Sequence, residues 1–311
     1  VIQRPEGGPG PGAVREPDAA HDAAHDAARD AARDAAHDAA HDAALRGEIA
    51  EAARVLARLG LVTAYGHVSA RAGESMLITP AADLAGVTAS SVIEVPLAAG
   101  SLPAGVPAEA WAHLALYRAR PDAAAIARAQ PGSAFAVAAV VTMMVPLHGQ
   151  AAWLGESVPV HDDAALLRSP DRAERAASCL PAGEALLLRG NGALALGATP
   201  GLAVARMWLL AAACDVYLAA LSASGAASGA NPVTPLSAGE IASWRAVGGE
   251  LLPRLWEHLR SRPRPGEPWP GEVQGQGQPG DHRRPPAPRV VPLDLREERE
   301  PHGGGPSREE P

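Results

Sequence analysis

No lysine occurs anywhere in the 311 residues, so all 27 basic side chains are arginines. With alanine the commonest residue, this reads as a bias of coding composition rather than of physical design. Positive charge is also outnumbered: the net charge is -8, and no stretch gathers arginine into a basic stripe. That argues against nucleic acid or an anionic membrane surface as a main partner. Cysteine is scarce, and Cys179 and Cys214 stand apart without a CxxC or Cys/His context. Neither a zinc site nor a disulfide framework is suggested, so both read as reduced, mostly buried thiols. No uninterrupted apolar run reaches the roughly 18 residues needed to span a bilayer, and the N-terminus lacks a charged-then-apolar signal pattern. A cytoplasmic location, away from membranes, is expected. Also missing are a GxGxxG fingerprint, a GKS/T phosphate loop and a serine in a nucleophile elbow. A small molecule or another protein remains as the default partner.

What is present falls into segments. Residues 1–17 are glycine, proline and charge, with too little apolar surface to offset ordering entropy, and are expected to be disordered. Residues 18–44 repeat Asp-Ala-Ala-His or Asp-Ala-Ala-Arg, a pattern for a helix or for disorder. A spacing of four against 3.6 residues per turn rotates each repeat by about 40°, so no fixed face forms. His21/His25 and His37/His41 have a chelating i,i+4 spacing; the plainer reading is a repeat expansion forming a solvated helix.

Residues 45–222 carry the periodicities of a folded domain. Ile49, Ala53, Leu56 and Leu59 mark a helix that Gly60 ends. A hairpin follows with its turn at Ala72-Gly73, then a short strand at Val92 to Val95. Glu109 to Arg120 is helical, Ala123 to Ala129 a strand, and Gly132 to Val141 helical again. PLHGQ (146–150) and VPVH (158–161) read as strands, Asp171 to Leu180 as a helix, and the runs on either side of Gly190-Asn191-Gly192 as two strands. A long buried helix closes the domain at Pro200 to Leu221. Residues 223–236 form a linker. Residues 237–262 form an amphipathic helix with a capping box, Ser237 with Glu240, interrupted at Pro253. Its apolar face needs a partner in its own subunit or a neighbour. Residues 263–311, rich in Pro, Gly, Gln and Arg, are expected to be a disordered tail. Apolar strands mixed with amphipathic helices predict an α/β three-layer sandwich.

Four motifs in order, YGHVSAR (65–71), MLITP (76–80), EAWAHLALYRARPD (109–122) and LLLRGNGALALG (186–197), resemble the class II aldolase/adducin family. Its enzymes include fuculose-phosphate aldolase, ribulose-phosphate epimerase and aromatic-acid decarboxylases. The resemblance implies a central, mainly antiparallel sheet between helical layers, and a homotetramer with active sites at subunit boundaries and C-terminal helices docked across them. It implies that Gly66 and His67 lie on the substrate loop and that Glu109 is the acid/base of the catalytic helix. The plain alternative for Glu109 is a helix N-terminal acid helped by the dipole; for His67 it is a hydrogen-bonded loop residue.

Metal-dependent members of the family hold a divalent cation with three histidines. Here the matching positions read Arg128, Gln130 and Asn191. Arginine cannot ligate, and side-chain amides are poor zinc ligands, so no metal cofactor is expected. His148 and His161 are expected on strands that approach the same pocket, as substrate-binding residues; zinc could bind only through them, with Asp162 or Asp163. Two readings stay open. In one, Arg128 takes over the cation's electrostatic role, oriented by Gln130 and Asn191, and Glu109 and His67 move protons. In the other, the site has decayed and the chain is an adducin-like scaffold. Ala81-Ala82 and Pro107-Ala108 replace the hydroxyl-bearing phosphate loops of the family, which favours a small non-phosphorylated carboxylate, an oxo- or hydroxy-acid, as the substrate of a carbon–carbon lyase. His113, Trp153, Trp208, Trp244 and Trp256 are read as packing residues.

Overall fold

The computed structural model describes residues 19–224 and 233–262. The two terminal segments expected to be disordered, and residues 225–232 of the expected linker, lie outside these. Among the described residues, eight strands form one sheet: β1 (His67–Ala72), β2 (Ser75–Ile78), β3 (Ile93–Pro96), β4 (Ala125–Ala129), β5 (Met143–Met144), β6 (Val158–His161), β7 (Ala185–Leu188) and β8 (Gly192–Gly197). Their order is β3-β2-β1-β4-β8-β7-β6-β5. Of these neighbours only β6 and β7 run parallel, so the sheet is mainly antiparallel.

Helices cover both faces: α1 (Ala19–Arg58), α2 (Ala110–Ala119), α3 (Gly132–Val140), α4 (Pro170–Ser178), α5 (Pro200–Ala223), α6 (Ala238–Ala246) and α7 (Gly248–Ser261). Strand alternation sorts the side chains between two cores. In β4 and β8 the alanines Ala125, Ala127, Ala193 and Ala195 face α1, α3 and α5, while Ile126, Leu194 and Leu196 face α2 and α4. Small residues on one face let α5 approach the sheet closely. A Cβ on Gly197 would fall 2.3 Å from the Ala203 backbone nitrogen. These layers are the predicted α/β/α sandwich.

Several local expectations are corrected. The hairpin turn is Gly73-Glu74, one residue later than expected, with Gly73 at φ 56°. PLHGQ is not a strand; His148 precedes a 3-10 helix, Gly149–Leu154. That segment is shaped by what packs on it, since the Trp244 ring lies where a Cβ of Gly149 would be. The C-terminal helix breaks at Val247, between α6 and α7, and not at Pro253, which sits early in α7. There the hydrogen bond forfeited by Pro253 would have gone to Gly249 in the first turn.

The repeat and the first domain helix form one continuous helix of 40 residues, about 60 Å long at 1.5 Å per residue. Residues 36–41 are exposed, and Leu45 is the first to pack on the core. Contrary to the expectation from uninterrupted apolar runs, α5 is long and apolar enough to cross a membrane by length and composition, its run tolerating Arg206 and Asp215. It packs against β4, β8, α1, α3 and α7 as a core helix.

Candidate active site

Two polar ladders meet beneath the α2 layer. Glu109, His113 and Tyr117 recur at the four-residue spacing that aligns side chains on one helix face. His67, Ser69 and Arg71 alternate onto one face of β1. Where the ladders touch, Ser69 Oγ lies 2.7 Å from His113 Nδ1 and 2.9 Å from the Tyr117 hydroxyl. The Arg71 guanidinium sits 5.0 Å from the centre of the Tyr117 ring. His113 therefore belongs to a buried hydrogen-bonded chain, not to simple packing. The 109/113/117 spacing puts Tyr117 on the face of Glu109, whereas nothing in the sequence singles out Ser69.

At the other end of the ladders stands a closed triangle. Glu109 is the N-cap of α2, but its side chain does not cap the helix. Instead its Oε2 pairs with Arg128 Nη2 at 2.7 Å, and its Oε1 accepts from Asn191 Nδ2 at 3.1 Å. Arg128 Nη2 also donates to Asn191 Oδ1 at 2.6 Å. Arg128 reaches this point because its Cα pairs with His67 across β1 and with Leu194 across β8. Asn191 is held between Gly190 and Gly192, at φ 68° and 86°. A Cβ at Gly192 would fall 2.2 Å from the Ala129 carbonyl oxygen, so only glycine fits there.

Arg128 is fully buried, and Glu109 is 9% exposed. Burial pushes the Arg128 guanidinium down, and the Glu109 carboxylate opposes that shift; an arginine nevertheless stays charged. Its Nε and Nη1 have no hydrogen-bond partner among the described residues, and the same holds for His67 Nδ1 and His113 Nε2. The two imidazoles lie 5.6 Å apart between ring centres. Burial lowers the His113 pKa to about 3, with the Arg128 charge adding to the effect. Burial, then His113, then Arg128 holds His67 well below its ordinary value. Both rings are neutral at neutral pH.

A cleft of about 320 Å³ opens over this cluster, with the buried His67 and Glu109 among its lining residues. Gly66 lines it too, in a backbone position where a Cβ would meet Val62 Cγ1 at 2.4 Å. Pro80, Ala82, Pro107 and Ala108 supply apolar walls, and Asp83 and Arg168 add charge. Arg168 went unnoticed in the sequence, having no motif around it.

Other expected site residues lie elsewhere. Arg128 stands behind Glu109 and does not line the cleft. Gln130 was expected to orient Arg128, yet its amide makes no hydrogen bond to a described residue, since β4 ends at Ala129 and frees the next residue from the strand alternation. His148 and His161 do not line the cleft either. His161 sits on β6, two strands from β8, with its Nδ1 3.6 Å from Cys179 Sγ. Among the described residues no three His, Cys, Asp or Glu side chains gather to hold a metal ion. The three-ligand site implied by the family resemblance does not fit these residues. A divalent cation placed at Arg128, Gln130 and Asn191 would meet the guanidinium already paired with Glu109.

Comparison with known proteins places this geometry in a lineage. The family model described as the class II aldolase and adducin N-terminal domain matches residues 47–218. Human beta-adducin is 30% identical over 113 residues, 36% of this chain and 16% of that protein. Alpha-adducin of Rattus norvegicus is 31% identical over 172 residues, 52% of this chain and 23% of that protein. The chain thus spans less than a quarter of the length of these relatives. Among solved structures, the L-fuculose-1-phosphate aldolase of Thermus thermophilus superimposes with a TM-score of 0.54 at 28% identity, over 59% of this chain and 98% of that one. An aldolase II superfamily protein from Pseudomonas syringae gives a TM-score of 0.58 at 24% identity, over 70% and 91%, a likeness of fold. The motifs, the sheet and the family match agree: the chain belongs to the class II aldolase and adducin family.

Proposed function

We propose that the cleft hosts cleavage of a carbon–carbon bond, by retro-aldol reaction or decarboxylation, in a small oxo- or hydroxy-acid, without a metal held by three histidines. The observation that carries this reading is the Glu109–Arg128–Asn191 triangle beneath the cleft with neutral His67 beside it. Both oxygens of Glu109 are already engaged by its own chain, one by Arg128 and one by Asn191. His67 has no such partner and is the freer proton acceptor.

In the aldol case His67 takes the proton of the substrate hydroxyl. The electron pair left on oxygen forms the new carbonyl as the carbon–carbon bond breaks, and the pair on the departing carbon becomes an enolate. Arg128, a fixed cation in a dry setting, lowers the cost of that negative charge through its field rather than by contact. Protonated His67 then gives that proton to the enolate carbon, which returns the imidazole to its neutral form and completes the step. With no lysine in the chain, no lysine imine can serve as the electron sink.

The test is a panel of 2-oxo- and 2-hydroxy-acids, following release of carbon dioxide or aldehyde. His67→Asn is expected to lower kcat by about 10²–10⁴-fold, the range of a lost acid/base contribution. No turnover by the unaltered protein across the panel would sink the reading. A second reading, an oligomeric scaffold, is favoured by one observation: the Glu109 carboxylate is fully satisfied by its own chain. A homotetramer is the assembly proposed under either reading.

A further inference from the structure

The repeat that opens α1 takes no part in the cleft. Its fourth position reads His21, His25, Arg29, Arg33, His37 and His41, and then Leu45. The histidines therefore come as two i,i+4 pairs with two arginines between them, and not as a continuous ladder. From His25 to His37 the helix rises about 18 Å at 1.5 Å per residue, so the pairs cannot share an ion.

The structure carries His37 and His41 on uninterrupted helix, before Leu45 begins to pack on the core. Both side chains are exposed. Four residues turn a helix by about 400°, so the second ring stands about 40° round and 6 Å up from the first. At that spacing the Cβ atoms are about 5–6 Å apart, within reach of one ion that takes a ring nitrogen from each. The local charge suits a cation. Asp38 Oδ1 lies 4.0 Å from His37 Nδ1, and the next acid, Asp42, is occupied by Arg46 at 2.6 Å.

We infer that His37 and His41 form a two-imidazole site for a divalent transition-metal ion, with water completing its coordination. Imidazole suits nickel, copper and zinc; magnesium and calcium take oxygen ligands instead. The site stands apart from the cleft, since it precedes residue 47, where the family match begins. Among the described residues no third His, Cys, Asp or Glu joins the pair to close it. An ion held this way stays open to solvent and exchanges with it, unlike the ion of a closed structural centre. Because it grips two successive turns, it binds the helical form and stabilises a stretch that has no packing to hold it.

The test is calorimetric titration of the tag-free full chain with nickel chloride, alongside circular dichroism. His37→Gln/His41→Gln is expected to remove one bound nickel per chain. His41→Ala/Ala39→His keeps the number of histidines but turns the second one about 200° from His37, onto the far side of the helix. It should weaken nickel binding at this site about 10-fold or more, because the second imidazole no longer acts as an intramolecular ligand. Residues 37, 39 and 41 are all exposed, so these changes leave the core intact. Nickel should raise the helical signal of the unaltered chain, and less so that of either variant. Copper should bind more tightly than nickel, and excess magnesium should leave the nickel in place. Equal stoichiometry and affinity in the unaltered chain and both variants overturns the inference. So does displacement by magnesium, which would mark an acidic surface that attracts cations by charge alone.

Discussion

Replacing Arg128 with Met strands a carboxylate. Glu109 would keep its bond from Asn191 but lose its only counter-charge among the described residues, in a setting where it is 9% exposed. Breaking a buried pair from one side costs about 3–5 kcal/mol, while replacing both partners can be close to neutral. Arg128→Met alone is thus expected to lower unfolding stability by that amount in urea titrations, and Glu109→Gln/Arg128→Met to recover most of it. A single variant as stable as the parent would contradict the buried pair. The histidines set a pH dependence. His113 protonates at about 3 when folded against 6.5 unfolded, so below pH 6.5 the unfolded chain binds a proton that the folded chain refuses. Stability is therefore full above that value and is lost progressively as pH falls toward 3, at about 1.4 kcal/mol per pH unit for a fully buried site. His67 acts in the same direction. The melting temperature should fall between pH 7 and pH 5, and His113→Asn should flatten the fall. Much of this was legible: Glu109, Arg128, Asn191 and His67 were all named from motifs. The pairing of His113 with Ser69 was not, because it joins positions 44 apart in sequence.

At the scale of elements, α1 separates helix formation from packing. Alanine favours helix at every repeat, but the stripe drifts, and side chains from Ala36 to His41 are exposed. The core begins to take up the helix only from Leu45, and Asp42 still serves it by pairing with Arg46 at 2.6 Å. Deleting residues 1–40 is expected to lower the helical signal in circular dichroism while moving the melting temperature by no more than about 2 °C, since surface changes away from packed features are nearly neutral. A large drop in melting temperature would mean that the repeat packs against something. The strands show the opposite balance. In β8 the alternation of Ala and Leu sorts the two faces between the two cores, but β5 and the 3-10 turn after His148 obey their neighbours rather than their own pattern.

At the scale of the molecule, α6 and α7 answer where their apolar face goes. Trp153 Nε1 donates to the Trp244 carbonyl at 2.8 Å, and the Trp256 ring lies over Gly201, where a Cβ would come within 2.3 Å of it. Arg58 of α1 donates to the Leu259 and Arg260 carbonyls at 3.1 and 2.8 Å, closing the C-terminus of α7. The pair docks on its own chain. Trp256→Ala is expected to cost about 2–4 kcal/mol, because the ring is half-buried and its loss opens a gap over α5. Denaturation without that loss would show that the helices add little to the fold. The amino-acid sequence by itself determined the helices and most of the strands, and the family, because these follow from local spacing and residue type. Only the tertiary structure decided that Arg128 would neutralise Glu109, that Gln130, His148 and His161 would stand apart, and that Arg168 would reach the cleft. Asn191 meets Glu109 across 82 residues and Arg128 across 63. Contacts at such separations depend on strand order and on which loop crosses which turn, and these are settled by packing.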